Sequence, residues 1–248
     1  AGYWHCTSKD AGFPGAWAVG TPGVNGRVTD GTNSADNGCF PMANPSVGAN
    51  YLTEVNMAAG VNHTHLLFDV LWVNSGLAIT TTTAQSITTP TLPARDINGT
   101  TNGEGCSIAI LCTAAVGLAA VASNATVTYT NSDGTGSRTA TLSAIVGSQA
   151  PATPVIGTLI WFNLQAGDRG VRSIQSITLN TSWVSGSISL MITRDIATIG
   201  TTIPNVNAQK IIGTPGIRLY NGTCLLHCNL ASATTATFYA GELVVMEK

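Results

Sequence analysis

From Tyr51 onward, short runs of apolar and β-branched residues alternate with clusters of turn-forming residues. Residues 173–179 place isoleucine or leucine between polar residues, and four threonines follow one another at 80–83. Such alternation and such β-branched runs favour strands over helices. The pattern predicts eleven strands, at residues 51–59, 64–73, 79–87, 107–116, 125–130, 137–143, 158–164, 172–183, 187–193, 223–230 and 236–246.

The clearest hairpin joins residues 126–130 to residues 137–141. Its connection contains Asp133-Gly134, a pair that supplies the positive φ angles of a tight turn. No segment has a convincing 3.6-residue period, although residues 112–121 are rich enough in alanine for a short helix. Many short strands at close spacing predict an all-β fold for residues 51–248, a two-sheet β-sandwich that is jelly-roll-like.

Residues 1–50 differ from the rest and are predicted to form an extended, Gly/Pro-rich N-terminal arm. They hold nine of the 27 glycines and four of the ten prolines, without apolar periodicity. A free linker has no use for large aromatic side chains, whereas an arm that is pinned at intervals uses them as anchors. The candidate assembly anchors are Trp4, Phe13, Trp17 and Phe40. Two alternatives stay open: the arm docks on a neighbouring subunit, or it folds onto its own domain.

Charged residues make up only 9% of the chain, against a typical value of about 25%. The polar surface must therefore come from threonine, serine, asparagine and glycine, and such a surface suits permanent contact with other subunits because it is easily desolvated. The net charge is −2 and the ten lysines and arginines are scattered, so nucleic acid is not expected as a partner. No apolar run approaches the roughly 20 residues that span a bilayer, so a membrane is not expected either.

Six cysteines stand at positions 6, 39, 106, 112, 224 and 228. In an extended chain, at ~3.3 Å per residue, Cys106 and Cys112 are about 20 Å apart and Cys224 and Cys228 about 13 Å apart. A disulfide requires Cα atoms within about 7 Å. We therefore expect buried, reduced cysteines, which suits assembly in a cytoplasm.

The chain contains no nucleophile elbow, no phosphate-binding glycine loop and no H-E-x-x-H motif, so no enzyme activity and no catalytic residue are predicted. Two groupings could bind a metal ion. His63 and His65 share one face of a strand, and so do Cys224 and Cys228, with His227 on the opposite face. Neither has the usual spacing of a zinc site, and we expect core cysteines and partly buried histidines, without a metal or a cofactor.

Two stretches carry a resemblance to a known class of proteins. One is FNLQAGDRGVRSIQSI at residues 162–177; the other is LWVNSGL at 71–77, followed by the threonine run and by LPARD at 92–96. They resemble segments of virion structural proteins of tailed double-stranded DNA bacteriophages, and the likeness extends over roughly residues 50–246. The resemblance implies a structural role in the particle and carries over no functional residue.

The expected function is that of a capsid decoration (cement) protein, which binds the major capsid protein or other virion proteins and stabilises the outer shell as a homo-oligomer, with a trimer favoured. Its place would be the virion, after assembly in the host cytoplasm. A tail or baseplate component that binds a receptor is the first alternative. A secreted carbohydrate-binding module is an alternative of another class, and it needs several of the five tryptophans and five tyrosines exposed on one face.

Overall fold

The computed structural model describes residues 4–6, 26–32, 39–40, 42–75, 77–117, 125–142, 154–232 and 238–248. Within these ranges the chain forms strands and turns and no helix, so the predicted all-β class is confirmed. It follows that the described ranges offer no helix with which to cross a membrane. The strands are β1 (Trp4–Cys6), β2 (Arg27–Val28), β3 (Asn50–Ala59), β4 (His63–Ser75), β5 (Gln85–Ser86), β6 (Cys106–Ala114), β7 (Ala125–Asn131), β8 (Arg138–Leu142), β9 (Thr158–Asn163), β10 (Val171–Leu179), β11 (Ser187–Thr201), β12 (Ala208–Ile211), β13 (Ile217–Leu219), β14 (Leu225–Ala231) and β15 (Tyr239–Glu247).

A large antiparallel sheet runs in the order β1-β14-β4-β11-β6-β9-β8-β7-β10-β5, and the short β2 adds to β4. β1 also pairs with β9, so β1, β14, β4, β11, β6 and β9 close into a six-strand barrel. Closure of a sheet removes edges that would otherwise leave backbone groups unpaired. The short β1 therefore completes the barrel, although it comes from the predicted arm.

A separate four-stranded sheet has β3 at its centre. β15 pairs with β3 along its whole length, from Tyr239 opposite Ala59 to Glu247 opposite Asn50. On its other side, β3 pairs with β12 and then with β13. This small sheet covers part of the outer wall of the barrel, and apolar side chains of both pack together between them.

β4 shows how the core is shared. Its sequence, HTHLLFDVLWVNS, is nearly continuous in apolar residues because both of its faces are buried. Leu66, Phe68 and Val70 belong to a cluster to which all six barrel strands contribute, so they fill the barrel interior. Leu67 points the other way and packs with Leu52 beneath the small sheet. A third and larger cluster lies between the opposite barrel wall and strands β7, β8 and β10.

Ten of the eleven predicted strands are present, nine of them within about four residues of their predicted bounds, while β11 continues to Thr201, well beyond the predicted end at residue 193. The strand predicted at 79–87 is wrong except for Gln85–Ser86, because the threonine run begins in a turn in which the Thr81 N–H bonds to the Ala78 carbonyl at 3.3 Å. The helix considered at 112–121 is wrong for its first residues, which end β6, and residues 118–121 lie outside the described ranges. β1, β2, β12 and β13 were not predicted. The predicted hairpin is confirmed as β7 and β8.

Candidate functional site

An apolar cleft of about 430 Å³ lies between the barrel and the small sheet. Tyr239, Gly241, Leu243 and Val245 of β15 face it, because each stands opposite a core residue of β3. The rest of its lining comes mainly from Phe40, Met42, Met57, Leu67, Leu225 and His227. Leu67 and Leu225 line it because the barrel strands β4 and β14 direct alternate residues outward.

Three histidines and a tyrosine lie together beside the cleft. The register of β14 on β4 pairs Asn229 with His65 and His227 with Leu67, so the His65 and His227 rings are diagonal neighbours. His65 Nδ1 and His227 Nε2 are 3.0 Å apart in a hydrogen bond, and the ring centroids are 5.2 Å apart. His63 packs edge-to-face on His65 at 5.4 Å, and the Tyr239 ring contacts all three histidines.

Burial keeps this histidine cluster uncharged at neutral pH. Desolvation, with added repulsion from His63, lowers the pKa of His65 to about 4. Desolvation and the neighbouring histidines lower the pKa of His227 to about 3. The pKa of His63 is also lowered by burial. The histidines therefore add no charge to the cleft, and its mainly apolar lining suits apolar groups of a ligand.

The structure combines residues of the two possible metal-binding motifs in a different way from the one that the sequence suggests. His63 and His65 do share one face of β4, and His227 joins them, while Cys224 and Cys228 point into the barrel. In the described ranges, no group of three or more histidine, cysteine, aspartate or glutamate side chains is arranged to hold a metal ion. The His65–His227 hydrogen bond takes one nitrogen from each ring, and both nitrogens of His63 are buried without a hydrogen-bond partner in those ranges.

Two of the four predicted assembly anchors lie within the described residues, and both pack on their own chain. Trp4 in β1 packs edge-to-face on Trp161, with ring centroids 5.8 Å apart. Phe40 lines the cleft, and its N–H bonds to the Leu225 carbonyl at 2.8 Å. Phe13 and Trp17 lie outside the described residues, so their role as anchors stays a prediction.

The expectation of six reduced cysteines is wrong for one pair. Cys39 and Cys224 form a disulfide, with Cα atoms 5.3 Å apart and a sequence separation of 185 residues. The pairs that were excluded on spacing are indeed not bridged: the free cysteines are Cys6, Cys106, Cys112 and Cys228. Burial raises the pKa of Cys112 to about 12, so this thiol stays protonated and is a poor nucleophile.

Asp168, in the segment that carries the phage resemblance, ties its loop to the β7–β8 hairpin. Its carboxylate accepts hydrogen bonds from the Arg138 guanidinium at 2.9 and 3.0 Å, from the Asn131 amide at 2.9 Å, and from the Tyr129 hydroxyl. The hydrogen bonds from Arg138, with those from Tyr129 and Asn131, lower the pKa of Asp168 to about 2. All partners belong to the fold, so this arrangement is structural.

A second polar network is buried where β4 meets the loop before β6. The Arg95 guanidinium lies 3.5 Å from the Asp69 carboxylate and donates to the Val70 carbonyl at 2.8 Å. The Asp69 carboxylate also accepts the Cys224 N–H at 2.8 Å. Desolvation raises the pKa of Asp69, against the opposing effect of Arg95. Neither charge faces the cleft, and the sequence offered no signal for their pairing.

Comparison of the chain with protein-family models, with curated proteins and with solved structures finds no match.

Proposed function

We propose that this protein is a structural component of a bacteriophage virion, a capsid decoration protein that binds the outer shell as a homo-oligomer. One observation carries the proposal: the exposed apolar side chains concentrate on one part of the fold. Eleven large apolar side chains are exposed in the described ranges, and seven of them belong to the small sheet or to the segments that enter it. These seven are Val47, Ile203, Val206, Ile211, Phe238, Val245 and Met246.

These side chains are distributed over the small sheet and its entering segments, and their exposure favours contact with another protein there. Residues 203–206 and Phe238 lie at the same end of the small sheet, because the Asn205 N–H bonds to the Ala59 carbonyl and the Gly60 N–H bonds to that of Phe238. Ile211 is 71% exposed. Soluble monomers rarely expose large contiguous apolar patches, and such patches mark interaction sites. A chain with only 9% charged residues also has little charge with which to oppose association.

The partner in this proposal is the major capsid protein or another virion protein, with a trimer as the favoured oligomer. We also propose, as a finer description of the all-β fold, that its two sheets are arranged like those of a jelly roll. A tail or baseplate position is the alternative that the sequence resemblance supports equally.

The carbohydrate-binding alternative has less support. It needs exposed aromatic side chains, yet Trp72 and Trp183 are fully buried and Trp4 and Trp161 pack on each other. In the described part of the chain, no tryptophan is exposed.

Co-sedimentation with particles that lack the protein tests the proposal. Wild-type protein should bind and should add density to the outer shell in electron cryomicroscopy. Ile211→Glu should weaken binding at least tenfold because it places a charge on the apolar surface. Val184→Glu is the matched control, since Val184 is 62% exposed but lies outside the small sheet. Wild-type binding by Ile211→Glu would refute the proposed surface, and absence of the protein from purified virions would refute the virion role.

A further inference from the structure

The small sheet ends in a long open edge. The edge strands β2, β5, β12 and β13 have two to four residues each, whereas β15 has nine and, among the strands that the structure describes, pairs with β3 alone. Folded proteins usually shorten, charge or cover such edges, because an open edge is a template for another strand. β15 contains no proline, and Val245 and Met246 are exposed on it.

The hydrogen bonds of β15 show which of its residues face outward. Lys248 and Ala49 exchange both backbone hydrogen bonds, and Gly60 donates to the Phe238 carbonyl, so even-numbered residues direct their backbone groups toward β3. Gly241, Leu243 and Val245 therefore direct theirs away from the sheet. In the described ranges, no backbone partner bonds to these groups.

Two of these residues, Leu243 and Val245, present their side chains to the apolar cleft. Gly241 also lines it, as do Phe40 and Met42. A strand added beside β15 would place every second side chain on this inner face, because side chains alternate across a sheet. The outward-directed backbone groups of β15 and the apolar cleft therefore suit one kind of ligand, an extended peptide with apolar residues at alternate positions.

The charges near the edge define the ligand further. Glu54 and Glu242 lie on the outer face of the small sheet, where the Asn56 amide bonds to both carboxylates at 2.6 and 3.4 Å. In β3 and β15 no lysine or arginine balances them. A cationic residue between the apolar positions of the ligand would meet Glu242 across the new strand pair.

We propose that β15 binds an extended segment of another protein by strand addition, with alternate apolar side chains in the cleft and a lysine or arginine beside Glu242. A second copy of this chain fits less well. Two β15 strands from two copies overlap most fully when they pair antiparallel with Leu243 opposite Leu243. In that register the two Glu242 side chains are diagonal neighbours, and two like charges so placed destabilise the strand pair. This inference goes beyond the virion role. It rests on the edge of β15, whereas the capsid experiment tests Ile211 of β12, so the two experiments can succeed or fail separately.

A designed peptide and one proline variant test this binding site in the full-length protein. The probe is the fluorescently labelled, capped heptapeptide TVTLKLT, and its anisotropy measures binding. Val245→Pro removes an outward N–H without touching the ladder to β3, which is the position in which edge strands accept proline. Val245→Thr keeps the N–H and a similar volume, so it is the matched control.

We expect wild type and Val245→Thr to bind the peptide, and Val245→Pro to bind at least tenfold more weakly while melting cooperatively. If Val245→Pro does not fold, the same peptide with alternate backbone nitrogens methylated gives the second measurement, because methylation removes the donors and keeps the side chains. Replacing the lysine with glutamate should also weaken binding. Equal binding of the methylated and unmethylated peptides would overturn strand addition. No peptide binding, together with a wild-type dimer that Val245→Pro makes monomeric, would assign the edge to a second copy.

Discussion

Mild acid should destabilise this fold through its buried histidines. His65 and His227 are almost fully buried, and their pKa values of about 4 and about 3 lie well below the ordinary value of 6.5. Between pH 6.5 and these values the unfolded chain binds protons that the folded chain does not. Stability is therefore complete above about pH 6.5 and is lost as the pH falls below it.

The size of this loss follows from the two pKa values. Below pH 6.5, each such histidine costs about 1.4 kcal/mol per pH unit until the folded-state pKa is reached. Both folded-state values lie below 5, so each histidine contributes about 2 kcal/mol of lost stability between pH 7 and pH 5, or about 4 kcal/mol together. A typical domain has only about 5–15 kcal/mol in total, so the loss is easily measured.

Urea denaturation at several pH values between about 5 and 7 measures the loss, and variants assign it. The double variant His65→Gln/His227→Gln should lose less than about 1 kcal/mol over this range, whereas His5→Gln, which removes only the smallest of the effects that lower the pKa of His227, should keep most of the wild-type loss. The carboxylates, including Asp69 with its raised pKa, contribute equally to the pH dependence of every variant, so their contribution cancels when the variants are compared. An equal pH dependence in wild type and the double variant would refute the assignment.

The disulfide and the loop carboxylate give two further predictions. Thiol titration in denaturant without reductant should find four thiols per chain, and six after reduction, because Cys39 and Cys224 are paired; six without reductant would contradict the pairing. Asp168→Asn should lower the free energy of unfolding by about 1.5–3 kcal/mol, because it weakens hydrogen bonds to the charged Arg138. Asp133→Asn, an exposed change in the same hairpin, should cost less than about 0.5 kcal/mol, and equal losses would argue against the Asp168 contacts.

Local patterns were enough to predict most of the longer strands of the large sheet. The β7–β8 hairpin follows from the alternation of residues 126–130 and from Asp133-Gly134, whose glycine has a φ of 86°. The same holds for the separation of Cys106 from Cys112, because both lie in β6 and strand geometry alone keeps them apart. These features depend on residues that are close in sequence.

Tertiary structure alone decided the candidate site. His65 and His227 are 162 residues apart, and Cys39 and Cys224 are 185 apart, so neither contact leaves a local pattern. β1 is too short to predict as a strand, and it is held by pairing with both β14 and β9. The threonine run shows the converse, since this β-branched sequence begins in a turn and pairs with no strand in the part of the chain that the structure describes. The sequence determined which segments can form strands, and the pairing of distant strands determined which side chains meet.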